Sequence, residues 1–144
     1  MRGQEELGRT RTKMSCCCDV LLVEDDEDLR SAMVMVMEAH GFRVVVAEDG
    51  AAALRAIEQM GTPALTLLDL VADFSTEMMI ELQARRVPVV LMSGRHNLEG
   101  QARRIGAVGT LPKPFGMDEL ERMLRRWCPP RPRALPVNDT LLPL

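Results

Sequence analysis

Residues 19–30 read DVLLVEDDEDLR, and the two halves of that stretch follow different rules. Val20 to Val23 is a run of branched apolar side chains with no polar alternation. A strand with one wet face alternates, whereas an uninterrupted apolar strand is covered on both faces, as in a parallel sheet. The chain then turns acidic at Glu24, Asp25 and Asp26 and falls into a different rhythm. Leu29, Met33, Val36, Met37 and His40 recur at helical spacing, which predicts a helix over residues 27–40 with Gly41 as its C-terminal cap. A buried strand running straight into a helix is the opening of a βαβ unit.

The same unit recurs along the chain. FRVVVA (42–47) reads as a second strand, and AAALRAIEQM (51–60) as a helix stopped by Gly61 and Pro63. ALTLLDL (64–70) is a third strand, followed by a helix over residues 75–85. VPVVLMS (87–93) and AVGTLP (107–112) are strands four and five, with helices over residues 98–105 and 117–127. Five strands alternating with five helices require crossover connections, so the expected class is α/β, a doubly wound parallel sheet with helices on both faces. Sheets of this kind bind ligands outside the carboxyl ends of their strands.

Length and charge narrow the class further. At 144 residues the chain is one domain's worth, and 47% hydrophobic with 27% charged residues is a globular composition, not a disordered one. Its longest apolar runs are about six residues, against roughly 20 needed to cross a bilayer, so no membrane partner is expected. The net charge of −3 argues against direct nucleic-acid binding. Residues 1–18 carry Arg2, Arg9, Arg11 and Lys13 against two acids, and residues 128–144 carry Arg131 and Arg133 against one. Once those six basic and three acidic groups are set aside, residues 19–127 hold 12 basic and 18 acidic side chains, a net −6. The expected division is a flexible N-terminal arm (1–18), one domain (19–127) and a proline-rich tail (128–144). Met14 is a second candidate start. Cys16, Cys17 and Cys18 are adjacent and only Cys128 is distant, which suits free thiols and neither a disulfide framework nor a zinc site. Free thiols and the lack of an apolar signal core predict a cytoplasmic protein.

The strand ends carry the chemistry. Strand one stops at Glu24, Asp25 and Asp26, strand three near Asp69, strand four at Ser93, and strand five just before Lys113. One edge of one sheet would gather all of them. Carboxylates a few ångströms apart repel, so such a site takes up protons or a cation, and oxygen ligands with retained waters suit Mg²⁺. A carboxylate beside Mg²⁺ and a lysine can attack phosphorus to give an aspartyl phosphate. Asp69, alone on a central strand, is the best acceptor, and Glu24 and Asp25 suit the metal. Asp26, Glu27 and Asp28 complement the dipole of the first helix. The eleven methionines, Met33, Met35 and Met37 among them, read as core filler. His40 and His96 read as structural or exposed, and Arg103, Arg104, Arg122, Arg125 and Arg126 as solvated faces.

In their order and spacing, VLLVEDDEDLR, LTLLDL, VPVVLMSG and LPKPF resemble the receiver domain of two-component response regulators. The resemblance covers about residues 19–127, that of a stand-alone, chemotaxis-regulator-like receiver. It implies a flavodoxin-like sheet of strand order 2-1-3-4-5. It implies that a sensor histidine kinase or histidine phosphotransfer protein phosphorylates Asp69. Glu24, Asp25, Asp69 and the backbone carbonyl of Val71 would hold Mg²⁺. Ser93 would be the switch hydroxyl and Lys113 the phosphoryl-binding lysine, with a cis Lys113–Pro114 bond. Output would go by contact with an unknown downstream protein through the helix 4–strand 5–helix 5 face, as a signalling module and not an enzyme.

Two positions depart from the family pattern. After Asp69 and Leu70 the chain reads VADFSTE (71–77) where a proline and then Asp-Gly are common, so Asp73 brings an extra charge near the site. Thr110 stands where an aromatic residue is usual, and the chain has no tyrosine. These departures motivate an alternative, a receiver-like binding module that acts without phosphorylation. A hydrolase with an aspartate nucleophile fits less well, because such folds place that aspartate on the first strand with another two residues on. Here Asp69 lies on the third strand and is followed by Leu70 and Val71.

Overall fold

In the protein, analysed as a computed structural model, residues 20–69, 76–94 and 98–128 are described. The expected arm and nearly all of the expected tail lie outside the described residues. Strand β1 spans Val20–Val23, helix α1 Glu27–Ala39, β2 Val44–Ala47 and α2 Gly50–Met60. They are followed by β3 Leu65–Asp69, α3 Thr76–Ala84, β4 Val89–Ser93, α4 Leu98–Ile105, β5 Gly109–Pro112 and α5 Met117–Trp127. Every expected element is present, most of them trimmed by a residue or two where the chain leaves the hydrogen-bond ladder. The strands form one sheet, all neighbours parallel, in the order β2-β1-β3-β4-β5.

Burial follows position in the sheet. The three inner strands β1, β3 and β4 are buried at every residue, as their mostly apolar, non-alternating runs require. The edge strands β2 and β5 are only partly covered. Alternate residues of each inner strand feed two separate cores. Leu21, Val23, Leu68 and Leu91 meet Ala53 and Ile57 of α2 and Met78 and Leu82 of α3. Val20, Leu22, Leu67 and Met92 meet Met33 and Met37 of α1 and Leu120 and Leu124 of α5. Met33 and Met37 are core filler as expected, but Met35 is 72% exposed. It lies between them on the outward face of α1, where the helical period puts it. His40, expected at the end of the apolar stripe, is exposed beyond the last turn, with Nδ1 near the Val36 carbonyl and Nε2 3.3 Å from Glu121.

Three helices end in the same way. After α1, Gly41 N–H donates to Glu38 and Phe42 N–H to Met37. After α4, Gly106 N–H donates to Arg103 and Ala107 N–H to Ala102. After α3, Arg86 N–H donates to Gln83 and Val87 N–H to Leu82. This paired pattern needs a left-handed residue just past the helix. Gly41 and Gly106 take φ of 90° and 76° without a Cβ to clash, whereas Arg86 takes 59° with one.

Two stability predictions come from this frame. Arg86→Gly is expected to stabilise the fold by about 1 kcal/mol, because it removes the left-handed penalty at an exposed position. Thr66, fully buried in β3, has a hydroxyl with no hydrogen-bond partner among the described residues. Thr66→Val keeps the branched shape, removes the stranded oxygen, and is expected to add about 1 kcal/mol. Urea unfolding midpoints of the two variants against wild type check both.

Candidate functional site

The register of the sheet brings the candidate residues together. Val23 pairs with Leu68, so Glu24 emerges one step beyond, beside Asp69. Asp69 pairs with Met92, and Ser93 pairs with Pro112, which puts Lys113 one step past Ser93. Lys113 N–H donates to the Ser93 carbonyl at 2.9 Å, and the Lys113–Pro114 bond is cis, as the resemblance implied. The Lys113 ammonium then lies 3.0 Å from Glu24 Oε1 and 3.3 Å from Asp69 Oδ2. Glu24, Asp69 and Ser93 are buried, Lys113 is half-buried and Asp25 is exposed.

Glu24 is held on several sides. Its N–H donates to Ala47, extending the ladder one residue past β1. Its Oε1 faces Lys113, and its Oε2 accepts from the Asp26 N–H at 3.1 Å. Asp26 caps α1 by accepting from the N–H groups of Asp28 and Leu29, so it serves the helix and not the cluster, as expected. One contact has no counterpart in the expectations: Arg30 Nη1 donates to the Glu24 carbonyl at 2.8 Å. A basic residue in the first turns of a helix opposes the helix dipole, and that misplaced charge is the signal that marks Arg30 in the sequence.

Carboxylate oxygens of Glu24, Asp25 and Asp69 lie within 4.8 Å of one another. All three donors are hard oxygens, and exposed Asp25 leaves one side of the group open to water. A hard divalent cation that keeps some of its waters fits that set. Val71 and Asp73 lie outside the described residues, as does His96. Thr110 is half-buried on β5, opposite Leu91 in register.

The electrostatics are those of two buried acids sharing one base. Burial pushes the Glu24 carboxyl up from 4.5 to about 7, and its contact with Asp69 pushes the same way, against the lowering effect of Lys113 and the Asp26 N–H. For Lys113, burial works against the charged form, but the Glu24 hydrogen bond and the charges of Asp69 and Glu24 outweigh it, so its pKa is raised. The directions agree physically: the ammonium stays charged, and the excess negative charge is relieved by a proton at Glu24 or by a cation.

Similarity to known proteins was found over the same residues. A sequence profile for the response regulator receiver domain matches residues 20–125. The chain is 32% identical over 119 residues to a putative NtrX-like response regulator of Rickettsia bellii, covering 76% of this chain and 24% of that protein. It thus spans about a quarter of the length of the NtrX-like relatives it matches. The receiver domain of NtrX from Brucella abortus superposes with a TM-score of 0.67 at 31% identity, covering 76% of this chain and 98% of that one. The receiver domain of the Pseudomonas aeruginosa sensor histidine kinase PA1611, solved with magnesium coordinated in its active-site cleft, gives a TM-score of 0.65 at 28% identity. That match covers 78% of this chain and 98% of that one.

The raised Glu24 carboxyl has a consequence for stability in the absence of divalent cations. Between pH 4.5 and about 7 the folded chain holds a proton that the unfolded chain has released. This contribution is fully present below about 4.5 and is lost as pH rises through about 7. In chelator, wild type minus Glu24→Gln is therefore expected to show stability falling with pH across that window, measured by urea unfolding at a series of pH values. A flat difference would contradict the burial of that charge.

Proposed function

The chain belongs to the response regulator receiver domain family of two-component systems, and on that footing we propose that Asp69 is its phosphoacceptor, loaded by a sensor histidine kinase or histidine phosphotransfer protein. The observation that carries the reading is the single ammonium of Lys113 set between Glu24 and Asp69 at the strand ends. In the proposed reaction an Asp69 carboxylate oxygen attacks phosphorus, an acyl phosphate bond forms, and the bond from phosphorus to the donor nitrogen breaks. The donor imidazole leaves with the electron pair of that bond.

Each neighbour has a part that follows from its position. Glu24, Asp25 and Asp69 would hold Mg²⁺, which supplies neutralising charge to the phosphoryl oxygens. The Val71 carbonyl is assigned to the same set by resemblance alone. Lys113 already faces the Asp69 carboxylate and would follow the charge outward onto the phosphoryl group. Ser93, buried and tied to Lys113 through its own carbonyl, would offer its hydroxyl to a phosphoryl oxygen. Added phosphate charge acts by drawing these donors to new positions.

Output is proposed to pass through the face formed by α4, β5 and α5, where Arg103, Arg104, Arg122, Arg125 and Arg126 are exposed. With Thr110 in place of an aromatic ring, the signal on that face would be carried without a ring rotating inward. Among the described residues no helix is long and apolar enough to cross a membrane.

The test is phosphorylation from radiolabelled acetyl phosphate with Mg²⁺. Here acetate is the leaving group, so no partner is needed. Wild type is expected to take up label, and Asp69→Asn to stay at background. Lys113→Ala is expected to slow labelling by about 100-fold, the usual cost of losing one donor to a developing oxyanion. Equal labelling of Asp69→Asn would overturn the assignment.

A further inference from the structure

Asp25 differs from the other two acids of the cluster in what holds it. Glu24 is fixed at its N–H, at both carboxylate oxygens and at its carbonyl. Asp69 is buried at the end of a central strand with Lys113 beside it. Asp25 is exposed, and among the described residues no hydrogen bond or ion pair restrains its carboxylate. Its direction is therefore set by the backbone that carries it, above all by the plane of the Glu24–Asp25 peptide.

That peptide lies past the last paired residue of β1, where the sheet no longer holds the carbonyl. Its oxygen is the one that Arg30 Nη1 reaches at 2.8 Å. The reach is natural, because side chains on a helix lean towards its N-terminus and Arg30 stands in the early turns of α1. A guanidinium hydrogen-bonded to a carbonyl restrains the tilt of the planar peptide, and with it the Cα–Cβ direction of the next residue.

We propose that Arg30 is a positioning residue of the cation site: by clamping the Glu24–Asp25 peptide it holds Asp25 where its carboxylate meets those of Glu24 and Asp69. The inference rests on the functional reading above, in which those three acids bind a divalent cation. It makes a prediction opposite in sign to simple electrostatics. A guanidinium near three carboxylates repels a dication, so on charge alone its removal tightens binding. As a clamp its removal loosens binding, because Asp25 must then be ordered by the cation itself.

The experiment is calorimetric titration of the whole chain with Mg²⁺ at pH 8, above the Glu24 transition. Arg30→Ala is expected to weaken Mg²⁺ binding about tenfold, the low end for loss of a group that orients a ligand. Arg30→Lys, which keeps a charged donor at the same place, is expected to fall between the two. In an Asp25→Asn background, Arg30→Ala is expected to have no further effect, because the residue it orients no longer binds. Thermal melts of each variant without metal identify any that fail to fold, and the Lys variant then carries the comparison. Unchanged or tighter binding by Arg30→Ala, or a full additional loss in the Asp25→Asn background, overturns the inference and leaves the functional reading intact. Absence of Mg²⁺ binding by wild type itself overturns both.

Discussion

Two carboxylates are held out of water around one ammonium, and the carboxyl ends of the strands are arranged to make that tolerable. Glu24 and Asp69 arrive on neighbouring strands, and Lys113 crosses from the far side of β4 to reach both. Removing charges from water is costly, and mutual attraction offsets the cost only when geometry is good. Here one base serves two acids, so a residue of negative charge is left over. Burial above all, with the neighbouring Asp69 adding to it, pushes the Glu24 carboxyl up to about 7, and the leftover negative charge makes the site receptive to a cation. The parallel sheet supplies the geometry, because its registers bring four separate pieces of chain to a common level.

The frame was legible because its code is simple. Three mostly apolar, non-alternating runs became the inner strands, and the mixed runs 42–47 and 107–112 became the edges. Gly41 and Gly61 marked helix ends through the one backbone conformation that side chains resist. Boundaries were less legible, since Phe42, Arg43, Val87 and Pro88 look like strand residues yet precede the strands, with Arg43 and Pro88 joining only through carbonyls that accept from the Val20 and Thr66 N–H groups. Met35 showed the limit of composition: two turns of a methionine-rich helix face inward and outward alternately, and only the helical period tells Met35 from Met33 and Met37.

The candidate site was legible to the extent that it is made of charged or polar side chains at the ends of apolar strands. Glu24, Asp25, Asp69, Ser93 and Lys113 were all identified that way, and the registers bring Glu24, Asp69, Ser93 and Lys113 to one edge, with Asp25 adjoining. Their roles in phosphoryl transfer rest on chemistry and resemblance. Arg30 escaped because its partner is a main-chain carbonyl, which carries no signature in a sequence. Its trace was indirect, a cation near the wrong end of a helix dipole. The same holds for Thr66, whose hydroxyl looks ordinary in LTLLD until the strand proves to be buried on both sides.

The candidate site residues occupy the last rungs of the ladders (Asp69, Ser93) or the first positions past them (Glu24, Asp25, Lys113), and the two cores are built from the apolar residues behind them. Scaffold and chemistry are thus written in separate stretches of text: apolar runs specify the platform, and the few letters after each run specify what stands on it. Such a division makes the rim editable. A lineage could rewrite donor choice, lifetime of the modified state or even the reaction at those few letters, while the platform beneath continued to assemble from unaltered instructions.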